Sequence, residues 1–171
     1  LLVAGGYRVL APDYIGFGRS DKLPNETDYS FQRHIDWLKS FMSQLDVRDA
    51  TGFLFDWGGF FGLRVAINRP EIFDRLILST TTLPLGKGLL NAAWVAWWRR
   101  HVAKPEEFPI STMVDRMTAR PLSDTTRAGL DAPYPDERYK AGPRSFPGLI
   151  PATFLNPAAA PNREAWQELT R

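Results

Sequence analysis

Phe53-Leu54-Phe55-Asp56-Trp57-Gly58-Gly59 is the stretch whose reading decides the fold. An apolar run leads into a carboxylate, then an indole, two glycines and the apolar-periodic segment Phe60 to Ile67. This is the layout of a buried strand, a very tight turn and a helix, with the turn pushing one side chain out over the end of a parallel sheet. In the G-x-S-x-G elbow that slot holds a nucleophilic serine. Here it holds Asp56. The glycines after it allow close approach of helix to strand, and the N–H groups opening the helix face the presented residue. An aspartate so placed is set for covalent attack. It could equally be a plain N-cap, since aspartate is common before a helix. The motif alone leaves both readings open.

Upstream, Tyr7-Arg8-Val9-Leu10-Ala11-Pro12-Asp13 reads as a short strand closed by Pro12. The glycine-rich Gly16-Phe17-Gly18-Arg19-Ser20-Asp21-Lys22 has Asp21 where G-x-G-x-x-G needs its third glycine, and it lacks the Lys-Ser/Thr of a phosphate-binding loop. It reads as a structural loop. Ser30 to Leu45 is the clearest helix, with Phe31, Ile35, Leu38, Met42 and Leu45 on one face. His34 lies next to that face, as a packing or surface residue. Downstream, Asn68-Arg69-Pro70 ends the elbow helix and Arg75 to Ser79 forms another strand. Strands and helices alternating with short connections predict a parallel sheet with helices on both faces. Ligands in such sheets bind outside the carboxyl ends of the strands, where Asp56 sits.

From Pro84 to about Thr153 the pattern turns helical and rich in proline and tryptophan. Leu89 to Val102 carries Trp94, Trp97 and Trp98, and a short helix is expected at Met113 to Met117. Pro133 to Asp136 and Phe146-Pro147-Gly148 read as turns, and Pro157 to Pro161 as a connector. The expected organisation is a core over 1–83, a helical lid over 84–153, and a return to the core over 154–171. The abrupt ends, a helix tail at Leu1 to Gly6 and a running helix at Glu164 to Arg171, read as those of an internal piece of a longer protein.

Bulk composition is that of an ordinary globular chain: 171 residues, 44% hydrophobic, 23% charged, net charge +2. No basic run argues for nucleic acid, and no apolar run is long enough to span a bilayer. The absence of cysteine excludes disulfides and thiolate chemistry, and leaves the compartment open, cytoplasmic by default. No His/Cys cluster or H-E-x-x-H spacing suggests a metal, and no cofactor is expected.

Several blocks together resemble the haloalkane dehalogenases of the α/β-hydrolase superfamily. They are Arg8 to Asp13, Gly16 to Lys22, the elbow Asp56-Trp57-Gly58-Gly59-Phe60, Asp131-Ala132-Pro133-Tyr134-Pro135-Asp136, and Phe146-Pro147. The first two are shared widely across the superfamily; the elbow and lid blocks narrow it. The resemblance implies a partial α/β-hydrolase fold plus a helical cap. It makes Asp56 the nucleophile on a carbon–halogen bond, forming an alkyl ester that a histidine-activated water hydrolyses. Trp57 would donate its indole N–H to the departing halide and its backbone N–H to the oxyanion. Trp97, in Trp94-Val95-Ala96-Trp97, matches the second halide donor of the family's lid, with Trp94 and Trp98 as alternative alignments. Phe60, Phe146, Pro147 and Ile150 match residues lining an apolar pocket for a small halogenated substrate. The implied partners are that substrate, halide and water, in a parent protein expected to be monomeric. Trp37 and Trp166 are expected to pack.

The chain departs from the family in places. Leu54 is large where family elbows carry a small residue two before the nucleophile, and Ser79-Thr80 supplies no carboxylate after the strand bearing Leu78. Neither His34 nor His101 stands in the family's histidine position, so the histidine, the acid and the upstream oxyanion residue belong outside this piece. An epoxide hydrolase uses the same aspartate–tryptophan elbow, with lid tyrosines such as Tyr134 and Tyr139, but usually has histidine where Phe55 stands. A non-catalytic protein of the same fold is the third possibility.

Overall fold

The computed structural model describes residues 1–87, 89–103 and 110–169, with the backbone alone for 89–92 and 101–103. Seven helices and two strands are seen among them. The helix expected at 30–45 forms as α1 (Phe31–Gln44), and Ser30 caps it by accepting the N–H of Arg33 at 3.1 Å. Strand β1 (Ala50–Phe55) runs into α2 (Trp57–Asn68), and β2 (Phe73–Ser79) pairs with β1 in parallel, Leu54 opposite Leu78 and Phe55 opposite Ser79.

After β2 come α3 (Leu89–Ala103), α4 (Ile110–Arg116), α5 (Asp124–Asp131), α6 (Ala141–Leu149) and α7 (Ala159–Leu169). His101 lies on α3, its side chain outside the described residues. The segment leaving β2 is tied to the returning helix by buried polar groups. Asn162, fully buried on α7, donates to Pro84 O at 2.8 Å and accepts from Arg64 Nη1 at 2.8 Å, while Arg163 donates to Leu85 O at 3.0 Å. Arg64 also reaches Gln32 on α1 at 3.3 Å, so its guanidinium is held by amides. Burial lowers its pKa, with Glu164 and Asp36 pulling the other way.

Two cores result. One packs Leu54, Leu63, Leu83 and Ala165, placing α2 and α7 against one face of the sheet. The larger is aromatic and joins α1, α2 and α6, with Phe31, Phe61 and Phe146 buried at its centre.

Four expectations are corrected. Tyr7–Asp13 is not a strand: β1 pairs with β2 among the described residues, and Val9 and Leu10 stay exposed. The pattern there specifies an extended backbone, but a strand also needs a neighbour for its N–H and C=O groups. β1 is buried on one side only: Gly52 and Leu54 point inward, while Phe53 and Phe55 are 67% and 56% exposed. Ile77 on β2 is exposed as well. Phe146-Pro147-Gly148 is no turn but lies within α6, where the buried Phe146 and Pro147 side chains outweigh the N–H that proline lacks. Residues 157–161 are a connector only in part, because α7 starts at Ala159 with Pro161 in its first turn.

Candidate active site

The joint between β1 and α2 is strained. Asp56 has φ 47° and ψ −116°, a left-handed backbone that costs a residue with a Cβ about 1–3 kcal/mol. It precedes the helix, yet its side chain makes no capping hydrogen bond, which removes the plain N-cap reading. Among the described residues its carboxylate has no ion pair, and the residue is exposed at the end of the sheet. A carboxylate held out in this way keeps its lone pairs free for an electrophile.

Glycine makes the turn possible. A Cβ on Gly59 would lie 2.0 Å from Thr81 Oγ1, and one on Gly62 would lie 2.7 Å from Leu54 Cδ2. The large Leu54, a departure from the family pattern, is therefore accommodated by Gly62 on the facing helix, and it is buried. The glycine loop at 16–22 is structural as expected. Lys22 Nζ donates to the carbonyls of Gly18 (2.5 Å) and Ser20 (2.8 Å), placing a cation's hydrogen bonds on the loop's own oxygens.

Trp57 is half-buried, its ring 4.4 Å from Phe146, 5.0 Å from Phe60 and 5.5 Å from Phe61 between centroids. Three sequence-predicted residues, Trp57, Phe60 and Phe146, thus meet beside the elbow although Trp57 and Phe146 lie 89 positions apart. Pro147 is fully buried on α6. Phe60 and Ile150 line a cavity of about 340 Å³ with Leu83, Leu85, Trp94 and Val95. That volume suits a small ligand. A larger open groove, at Phe73, Arg75 and Leu169, lies at the opposite end of β2 from Asp56.

Trp97 is 56% exposed on α3 and is not among the residues lining that cavity, whereas Trp94 is. Trp94 also packs on Trp98 at 5.1 Å. Trp37 packs in the aromatic core, and Trp166 is 43% exposed. Two contributors escaped the sequence reading. Thr81 hydrogen-bonds the elbow backbone, and Arg99 on α3 donates to Pro147 O (3.2 Å) and Gly148 O (2.8 Å), tying α3 to the end of α6. Neither belongs to a motif; the triple threonine at 80–82, straight after a strand, was the only available signal.

A strained carboxylate between a parallel strand and a glycine-opened helix is an elbow of the α/β-hydrolase kind. The model of the alpha/beta hydrolase fold matches residues 1–167. The chain belongs to the alpha/beta hydrolase fold family. Within it, the chain is 44% identical to a haloalkane dehalogenase of Mycobacterium marinum over 170 residues, covering 99% of this chain and 57% of that one. It is 42% identical to one from Psychrobacter cryohalolentis, covering 100% and 56%. A solved structure, described as the tetrameric haloalkane dehalogenase DpaA from Paraglaciecola agarilytica NO2, matches with a TM-score of 0.87 at 30% identity. That match covers 97% of this chain and 55% of that one. The alpha/beta hydrolase chain described here therefore spans a little over half the length of these relatives. Among its described residues no three metal-ligating side chains cluster, and no helix is long and apolar enough to cross a membrane.

Proposed function

We propose that the whole protein is a haloalkane dehalogenase with Asp56 as its nucleophile. The observation that carries this is the exposed carboxylate at φ 47°, without an ion pair among the described residues and next in sequence to the half-buried Trp57. The high identity to dehalogenases across the entire chain supports it. In the first step an Asp56 oxygen attacks the halogen-bearing carbon. A carbon–oxygen bond forms, the carbon–halogen bond breaks, and halide leaves with the electron pair. Charge grows on a large, weakly hydrated ion, which the indole N–H of Trp57 and a second donor on the lid, Trp97, would meet. A donor of this kind typically contributes about 3–4 kcal/mol. Water then adds to the ester carbonyl while a base takes its proton, and collapse releases the alcohol and restores the Asp56 carboxylate. The Trp57 N–H would hold the oxyanion. Phe60, Phe146, Pro147 and Ile150 give the substrate an apolar wall and keep stray water from the ester.

Residues 84–153 act in this reading as the cap and 1–83 with 154–171 as the core. The activating histidine is supplied from elsewhere in the whole protein, because His34 is enclosed by aromatic rings and neither ring nitrogen makes a hydrogen bond. An epoxide hydrolase would need tyrosines over the nucleophile. Tyr134 instead packs with Ile110, Trp98 and Met113, beside Lys22, and Tyr139 is 40% exposed. The whole protein is taken as a monomer; a tetramer by size-exclusion chromatography, the state named for the Paraglaciecola relative, would correct this.

The test is bromide release from 1-bromobutane against diol formation from an epoxide, with Asp56→Ala beside the unaltered protein. Bromide from the parent and none from the variant is expected. Diol without bromide, or turnover that survives Asp56→Ala, would overturn the proposal.

A further inference from the structure

Asp56 keeps its strained backbone without help from its own side chain. What imposes it is found on its two peptide groups. Its N–H reaches Ser79 O only at 3.4 Å. Among the described residues its C=O accepts three hydrogen bonds: from Gly59 N at 3.0 Å, from Phe60 N at 3.3 Å and from Thr81 Oγ1 at 2.7 Å. The first two are bonds that the opening turn of the helix makes within itself. Among the described residues Thr81 alone reaches the carbonyl from another element, the segment leaving β2, and its bond is the shortest of the three.

The Asp56–Trp57 peptide is planar, so its carbonyl oxygen and the Trp57 N–H turn together as one rigid unit. Holding the oxygen therefore holds the N–H, and with it the direction in which α2 and the Trp57 side chain set out. The threonine is itself wedged in place. Its Oγ1, Cγ2 and Cβ occupy the space a Gly59 side chain would need, at 2.0, 2.5 and 2.6 Å from that position. Thr80, with φ 46°, makes the sharp turn that delivers it there. Strain at Asp56 is thus matched by strain at the neighbouring strand's end, and one hydroxyl joins the two.

We infer that Thr81 is a positioning residue for the nucleophile, its hydroxyl locking the Asp56–Trp57 peptide so that carboxylate and N–H keep their relative orientation. The inference rests on the aspartate-nucleophile reading. Thr81→Val keeps the shape over Gly59 and removes the hydroxyl; Thr81→Ser keeps the hydroxyl. In the whole protein, Thr81→Val is expected to lower kcat on 1-bromobutane about tenfold, the rate equivalent of one net hydrogen bond, with KM little changed. Thr81→Ser should stay within about twofold of the parent, since the lost methyl carries no hydrogen bond. Amide hydrogen exchange over residues 55–60 should quicken in the valine variant and not in the serine variant.

Wild-type kcat and exchange in Thr81→Val would overturn the inference, as would equal losses in both variants, which would mark shape rather than the hydroxyl. If Thr81→Val does not fold, Thr81→Ala replaces it, and exchange equal to that of the serine variant overturns the inference. A parent that releases no bromide removes the dehalogenase proposal instead. Thr81 is then judged by exchange alone, where unchanged protection in the valine variant sinks it.

Discussion

Acid should destabilise this fold through His34 before the carboxylates titrate in bulk. The imidazole is fully buried and enclosed by rings: Phe61 stacks on it at 4.9 Å and 11°, with Trp37 at 4.9 Å and Phe146 at 5.1 Å edge-on, and Tyr14 and Tyr29 at 5.8 and 6.0 Å. Neither ring nitrogen has a hydrogen-bond partner. Desolvation disfavours the charged form and pushes the pKa from 6.5 down to about 4. Between those values the unfolded chain binds a proton that the folded chain refuses, so stability falls as pH falls. The contribution of the neutral ring is intact above 6.5, shrinks below it, and is fully lost below about 4. Each pH unit inside the window is worth about 1.4 kcal/mol, which gives about 2 kcal/mol between pH 7.5 and pH 5 and about 3 kcal/mol in all.

His34→Phe isolates the effect. It fills the cage with another ring and deletes both unpaired nitrogens, whose burial disfavours the native state by about 1–3 kcal/mol. The larger ring offsets part of that gain by crowding. The level at pH 7.5 is therefore less informative than the slope. Urea unfolding of parent and variant at pH 7.5, 6 and 5 should show the variant gaining about 2 kcal/mol on the parent across the range. His101 is common to both proteins, so it drops out of the difference. Parallel curves for the two proteins, or an imidazole NMR titration of His34 centred near 6.5, would refute the reasoning.

Two further outcomes are expected. Trp97→Phe should weaken halide quenching of tryptophan fluorescence more than Trp94→Phe; the reverse order would pass the second donor's role to Trp94, which lines the cavity with Phe60 and Ile150. Gly62→Ala should destabilise by about 1–2 kcal/mol, because its new Cβ would stand 2.7 Å from Leu54 Cδ2 and the crowding exceeds the gain in helix propensity. Combined with Leu54→Ala it should cost less than the sum of the single changes, and strict additivity would refute the packing argument.

The elbow was legible because its constraints are local. A carboxylate followed by glycines between an apolar strand and an apolar helix leaves few backbones to choose from, and φ 47° at Asp56 is one of them. Helix α1 was legible for the same reason, its spacing and Ser30 cap being written within sixteen residues. What failed depends on partners distant in sequence. Tyr7–Asp13 has a strand's composition but pairs with no described strand. Pro147 reads as a breaker until its burial against the aromatic core is known. Trp94 and Trp97 cannot be ranked from spacing, since residues three apart lie on the same face of a helix.

His34 and the nucleophile share one support. Phe61 and Phe146 both touch the imidazole, and both touch the Trp57 ring, at 5.5 and 4.4 Å. A wholly apolar side chain at position 34 would make a more stable core, so the histidine is not explained by stability. It does bear on how firmly the two phenyl rings are held, because any repacking that lets water reach the two unpaired nitrogens relieves their desolvation, and protonation strengthens that pull. Trp57 therefore rests on rings whose arrangement depends on a neutral His34. Protonating that ring should disturb the indole at pH values where the rest of the chain is still folded, and a change in Trp57 fluorescence preceding global unfolding on acidification, absent in His34→Phe, would show it.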